Sequence, residues 1–218
     1  MKTRLFQSLV AASALALLGG CDTEQAATTC RAAGGGLPFA AKYMPVGGTQ
    51  TGACDLPGEL LALSSYDPPN ANRPTLAIAV SEIETYPTDG SAPAIAVGEF
   101  TEKQANPATS TCSAPTMTPL VSGTLSYTFS NVEVYVSAAN QGTQLKADLT
   151  IADTTAGAAC SAQYKVLGLW PEVPCETNEE CGEGSGINPD LFESVACDAS
   201  IGFCMLTGTD FVKTGGDN

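Results

Sequence analysis

No histidine occurs in the 218 residues, and that absence removes much of enzyme chemistry at the outset. Ser-His-Asp and Cys-His nucleophile systems, His-ligated zinc and imidazole general bases all need a ring this chain does not have. Catalysis would have to rest on carboxylates, tyrosine or lysine. Cations are also scarce: nine Lys and Arg stand against 23 Asp and Glu, for a net charge of −14. Nucleic acid is therefore excluded as a partner, because phosphate neutralisation needs clustered cations. Attachment to anionic lipid by charge alone is disfavoured for the same reason, and the acidity reads as a solubility device. Helical periodicity is missing too. Beyond the first twenty residues, no window repeats apolar residues at i, i+3, i+4 and i+7.

What is present begins at the N-terminus. Lys2 and Arg4 precede an apolar run through Leu5, Phe6, Leu9 and Val10 to Leu18, which closes on Leu18-Gly19-Gly20-Cys21. A basic start, an apolar middle too short to span a bilayer and a small-residue cut describe a secretory signal. The last four residues resemble the lipobox of bacterial lipoproteins. That resemblance implies cleavage before Cys21, a diacylglyceryl thioether on its sulfur and an acyl chain such as palmitate on its amine. At about 0.8 kcal/mol per buried methylene, two or three chains make attachment effectively permanent. The mature chain of 198 residues keeps seven cations against 23 acids, a net charge of −16. Asp22 follows the cysteine directly. In enteric-type sorting that residue favours the inner membrane, so the expected outer-membrane location has the inner membrane as its alternative. Asp22 to Thr29 is polar, small and aperiodic, a tether reaching roughly 28 Å at about 3.5 Å per residue.

Nine cysteines leave eight once Cys21 is assigned to lipid, an even number in a chain expected to leave the cytosol. Four disulfides follow among Cys30, Cys54, Cys112, Cys160, Cys175, Cys181, Cys197 and Cys204. The last four are expected to pair among themselves, with Cys30–Cys54 and Cys112–Cys160 stapling the body.

From Leu37 to Leu169 short segments with a period of two alternate with Pro, Gly, Asn and Asp clusters. Leu145, Ala147, Leu149 and Ile151 alternate with Gln144, Lys146, Asp148 and Thr150, which buries one face and wets the other. Cys160, Ala162, Tyr164 and Val166 repeat the pattern. Further strands are expected at Leu37 to Val46 (interrupted by Pro45), Leu60 to Tyr66, Leu76 to Val80 and Ile95 to Phe100. The apolar phase changes between Leu125-Tyr127-Phe129 and Val132-Val134-Val136, which requires a two-residue turn at Ser130-Asn131 or a bulge there; the turn is favoured. These segments predict an all-β fold, an antiparallel meander of about eight strands forming a sandwich or, alternatively, a lipocalin-like barrel.

Pro171 to Pro174 ends that pattern. Beyond it Cys175, Cys181, Cys197 and Cys204 fall within thirty residues, and Glu176, Glu179, Glu180 and Glu183 crowd the first pair. Little there predicts an apolar core, so disulfides are expected to supply its order. This cysteine spacing, the closing Gly202-Phe203-Cys204 and the preceding Leu169-Trp170-Pro171 resemble cysteine-rich modules of surface lipoproteins from myxobacteria and their relatives. The resemblance carries no activity with it. Zinc is not expected, since paired Cys-x-x-Cys knuckles are absent. The glutamates admit calcium, but without EF-hand spacing they read as a solvated loop. Trp170 is expected to plug the core.

The expected organisation is a signal peptide at 1–20, a tether at 21–29, a β domain at 30–170 and a small disulfide-rich C-terminal appendage at 171–218. The expected role is that of a lipid-anchored component of the cell envelope, binding or structural rather than catalytic, with no cofactor. It meets the membrane through Cys21 and an envelope protein or small ligand through its body. Two alternatives are a carrier holding an apolar ligand inside a barrel and a hydrolase built on paired carboxylates such as Glu82 and Glu84.

Overall fold

The computed structural model describes residues 28–34, 37–69, 72–83, 85 and 93–214. Nine strands build one antiparallel sheet: β1 (Phe39–Gly48), β2 (Gly58–Tyr66), β3 (Thr75–Val80), β4 (Ala96–Glu99), β5 (Thr111–Thr116), β6 (Leu120–Ser122), β7 (Leu125–Val136), β8 (Gln141–Asp153) and β9 (Cys160–Leu169). The order across the sheet is β4-β3-β2-β1-β9-β8-β7-β5, with β6 beside β7. Its two ends then meet. The Thr118 amide donates to the Val97 carbonyl at 2.8 Å and the Thr101 amide to the Ser113 carbonyl at 2.8 Å, which brings β4 alongside β5. Gly98 permits that approach, since a methyl there would stand 2.5 Å from the Thr116 carbonyl oxygen. Of the two architectures the sequence allows, the sheet is nearly closed as an up-and-down barrel, an arrangement that leaves few unpaired edges.

The period-two alternation places the core. Phe39, Ala41 and Tyr43 of β1, Leu61 and Leu63 of β2, Leu76 and Ile78 of β3, Tyr127 and Phe129 of β7, Leu145 and Leu149 of β8 and Tyr164 of β9 all face the lumen and are buried. Side chains fill the interior.

The β domain departs from expectation in three places. Ser130-Asn131 is not a hairpin. β7 runs through it and the register with β8 shifts between Ser130 and Glu133. Asn131 takes a φ of +48°, which asparagine tolerates better than most residues, so the change of phase is absorbed as a bulge. A strand at 111–116 was not expected either; it buries only Cys112 and Ala114 and ends on Pro115-Thr116, too small an apolar signal to read. The stapling bonds also differ. They are Cys30–Cys112 and Cys54–Cys160, not Cys30–Cys54 and Cys112–Cys160. Cys30 lies at one mouth of the barrel and Cys54 at the other, so each must pair with the cysteine at its own end.

Beyond β9 come two 3₁₀ turns, Asn178–Cys181 and Pro189–Ser194, and a hairpin of β10 (Val195–Asp198) and β11 (Phe203–Leu206). Cys175–Cys197 and Cys181–Cys204 link them. The expectation that this segment lacks an apolar core is wrong. Ile187, Leu191, Val195 and Leu206 form one with Leu167 and Leu169. Those two leucines occupy outward positions of β9, so the segment borrows part of its core from the barrel wall. Lys42 on β1 closes the contact with an ion pair to Asp198 at 2.6 Å.

Candidate functional site

Cys21, the expected lipidation residue, and Leu18, Gly19 and Gly20 of the expected cleavage motif lie outside the described residues. The chain that follows them is fastened to one mouth of the barrel. The Ala105 amide donates to the Thr28 carbonyl at 2.8 Å, and the Cys30 amide donates to the Lys103 carbonyl at 2.9 Å. The Cys30–Cys112 bond then fixes the segment to β5. Three residues on, the Ala33 amide donates to the Gly142 carbonyl at 2.8 Å. Gly142 has a φ of +83°, and a methyl there would meet the Arg31 carbonyl oxygen at 2.4 Å. The tether therefore leaves from a defined point on the rim.

A second feature lies on the outer wall. Residues 207–214 form a strap antiparallel to β8. Gln144, fully buried, donates through Nε2 to the Val212 carbonyl and accepts from the Val212 amide, both at 2.8 Å. Lys146 reaches Asp210 at 2.7 Å, and its ammonium lies 5.0 Å from the centre of the Phe211 ring. Beside the strap opens a cleft of about 480 Å³ lined by Met44, Asn131, Glu133, Lys146, Asp148 and Lys165. Its charges are mutually committed. Asp148 accepts from Asn131 at 2.8 Å and pairs with Lys165, and these contacts hold its carboxyl below the usual range. The bulge at Asn131 is what turns that amide toward Asp148.

A third feature was missed by the sequence reading. Glu59 on β2 faces the lumen with 8% of its surface exposed. It accepts from the Tyr43 hydroxyl at 2.7 Å and from the Glu82 amide at 3.3 Å. Burial pushes its carboxyl up, with the Tyr43 and backbone hydrogen bonds pulling the other way. The Tyr127 hydroxyl is buried in the same region, close to Glu59; burial and the Glu59 charge raise its pKa. The signal was available, because Glu59 shares the phase of Leu61 and Leu63. Glu84, the carboxylate paired with Glu82 in the hydrolase reading, lies outside the described residues.

The acidic loop has a structural use. Glu180 accepts from the Glu176 amide at 2.6 Å and the Thr177 amide at 3.0 Å, part of a capping box on the first 3₁₀ turn. The sulfurs of Cys175, Cys181 and Cys204 lie within 4.8 Å of one another, but each is spent in a disulfide. Trp170 is only partly buried at the rim rather than a plug. It packs on the edge of the core and donates to the Leu37 carbonyl at 3.1 Å.

Known proteins place this arrangement. A Myxococcus xanthus protein named "Putative lipoprotein MlpA" is 32% identical over 93 residues, covering 39% of this chain and 38% of that protein. The chain thus spans well under half the length of that relative. No solved structure matches. The class is that of lipoproteins of the myxobacterial kind, built here on a disulfide-stapled β-barrel. A family model for MlpA matches residues 37–171, most of the chain, and the chain belongs to the MlpA family. The matched span runs from just before β1 to just after β9, so the family match on this chain coincides with the barrel.

Proposed function

We propose that this protein is a lipid-anchored component of the cell envelope, held in the outer membrane by acylated Cys21, with a binding or structural role rather than a catalytic one. The observation that carries the anchor is the fastening of residues 28–30 to one rim, directly downstream of the lipobox. The barrel wall supports the need for it. Outward positions of β8 and β9 include Lys146, Asp148, Gln163 and Lys165, whereas a membrane-spanning barrel turns an apolar band outward. A protein with such a wall, a strongly acidic charge and no cation cluster needs a covalent attachment.

The non-catalytic reading rests on how the carboxylates are used. A general acid needs a carboxyl raised toward neutrality and open to substrate. In the outer cleft Asp148 is lowered and paired, while Glu59, which is raised, is enclosed in the lumen. The filled interior favours wall contacts over an internally carried apolar ligand, and the strap-side cleft is the binding surface of this reading. Fractionation of the Cys21→Ser variant tests the anchor. The native protein should stay with membranes through a high-salt wash and the variant should not mature there. A variant recovered as mature membrane protein would sink the proposal. An inner-membrane fraction for the native protein would assign Asp22 the sorting role.

A further inference from the structure

The ends of the barrel differ in charge, and the chain enters at one of them. Arg31, Arg73 and Lys103 stand around the tether-side rim with Asp67, Glu99, Glu102 and Glu172, whose amide donates to the Pro38 carbonyl at 3.1 Å. Arg73 pairs with Glu99 at 2.9 Å and Lys103 with Asp67 at 3.2 Å. The other four cations of the mature chain, Lys42, Lys146, Lys165 and Lys213, belong to the outer wall and the strap. Among the described residues no cation stands at the opposite rim, where Asp55 and Glu82 are exposed and Asp153 is half-buried. The tether-side rim also presents apolar and aromatic side chains. Leu37 is 52% and Tyr66 63% exposed, and the partly buried Trp170 sits beside Leu37.

We infer that the tether-side rim is a membrane-docking surface that seats the barrel mouth-down on phospholipid headgroups, with Leu37, Tyr66 and Trp170 entering the interfacial layer. Tyrosine and tryptophan favour that layer because each joins an apolar body to a polar tip. Three cations offset most of the acids of this rim and lower its repulsion from an anionic surface, whereas the acids of the opposite rim have no cation beside them. The opposite rim does expose Val46 and Val121, but the tether disfavours its approach. Six residues, 22–27, separate Cys21 from the fastened Thr28 and can reach about 21 Å, while the ten residues of β1 rise about 33 Å along the strand. Even with the strands tilted, the wall is longer than that reach. The tether-side rim needs only a slack tether.

This inference rests on the lipid-anchor reading, and one experiment separates the two. Trp170 is the only tryptophan, so its fluorescence reports the rim. Acylated full-length protein is reconstituted into vesicles of phosphatidylethanolamine and phosphatidylglycerol, with a fraction of the acyl chains brominated. The expected result is flotation with the vesicles and loss of at least half of the Trp170 emission. The double variant Leu37→Ser/Tyr66→Ser, at two exposed positions, should still float and recover most of that emission. Flotation with unquenched Trp170 would overturn the docking and leave the anchor standing. Failure to float would remove both. Quenching unchanged in the double variant would overturn the roles given to Leu37 and Tyr66.

Discussion

Glu59 is the residue whose environment departs furthest from what its chemistry prefers. A carboxylate among Tyr43, Tyr127 and Leu61 loses its hydration, and hydrogen bonds from the Tyr43 and Ser81 hydroxyls and the Glu82 amide only partly offset that loss. Because its pKa in the folded chain is raised above the unfolded value, the folded state holds the extra proton between the two. Stability contributed by this group is therefore present below the unfolded pKa and is lost as pH rises through the folded one. Glu59→Gln should accordingly raise the melting temperature at pH 8 and give no gain at pH 4, with each 1 kcal/mol worth about 2–4 °C in a chain of this size. An equal difference at both pH values would mean that packing, not ionisation, sets its effect. Asn131 gives a second test at this scale. At a φ of +48° glycine should be tolerated, whereas Asn131→Val should cost roughly 1–3 kcal/mol through strain and loss of the bond to Asp148, read by chemical denaturation.

At the scale of elements, alternation on β8 and β9 was legible because each strand buries one face and wets the other over many residues. β5 was not, because its inward residues are small and a proline interrupts it. The change of phase within β7 was legible as a discontinuity, but turn and bulge satisfy it equally; the choice falls to pairing with β8, a long-range contact. The cysteine-rich segment was misjudged for a related reason. Leu167 and Leu169 extend an alternating strand, and nothing local says that the face they occupy will be covered. Leu167→Ala should therefore loosen the appendage more than the barrel, costing about 2–5 kcal/mol and exposing residues 175–206 to limited proteolysis while β1–β9 stay protected. The staples admit a direct check. Peptide mapping without reduction should recover Cys30 joined to Cys112 and Cys54 joined to Cys160. Each closes a loop long enough to contribute about 4.5 kcal/mol in the chain-entropy account, so the Cys54→Ser/Cys160→Ser variant should unfold at much lower denaturant.

For the whole molecule, the missing histidines, the acidic charge and the barrel converge on one account. In the account proposed above the protein leaves the cytosol and is held by lipid at one rim, and four disulfides order its fold. The family match covers the barrel, while the proposed anchor, Cys21, lies upstream of it. One measurement reaches both, the intact mass of the protein extracted by detergent from its own membranes. The account predicts a chain beginning at Cys21, carrying a diacylglyceryl group and an amide-linked acyl chain, and lacking eight hydrogens for four disulfides. A mass beginning at Met1, an unmodified Cys21 or free thiols among the other eight cysteines would contradict it.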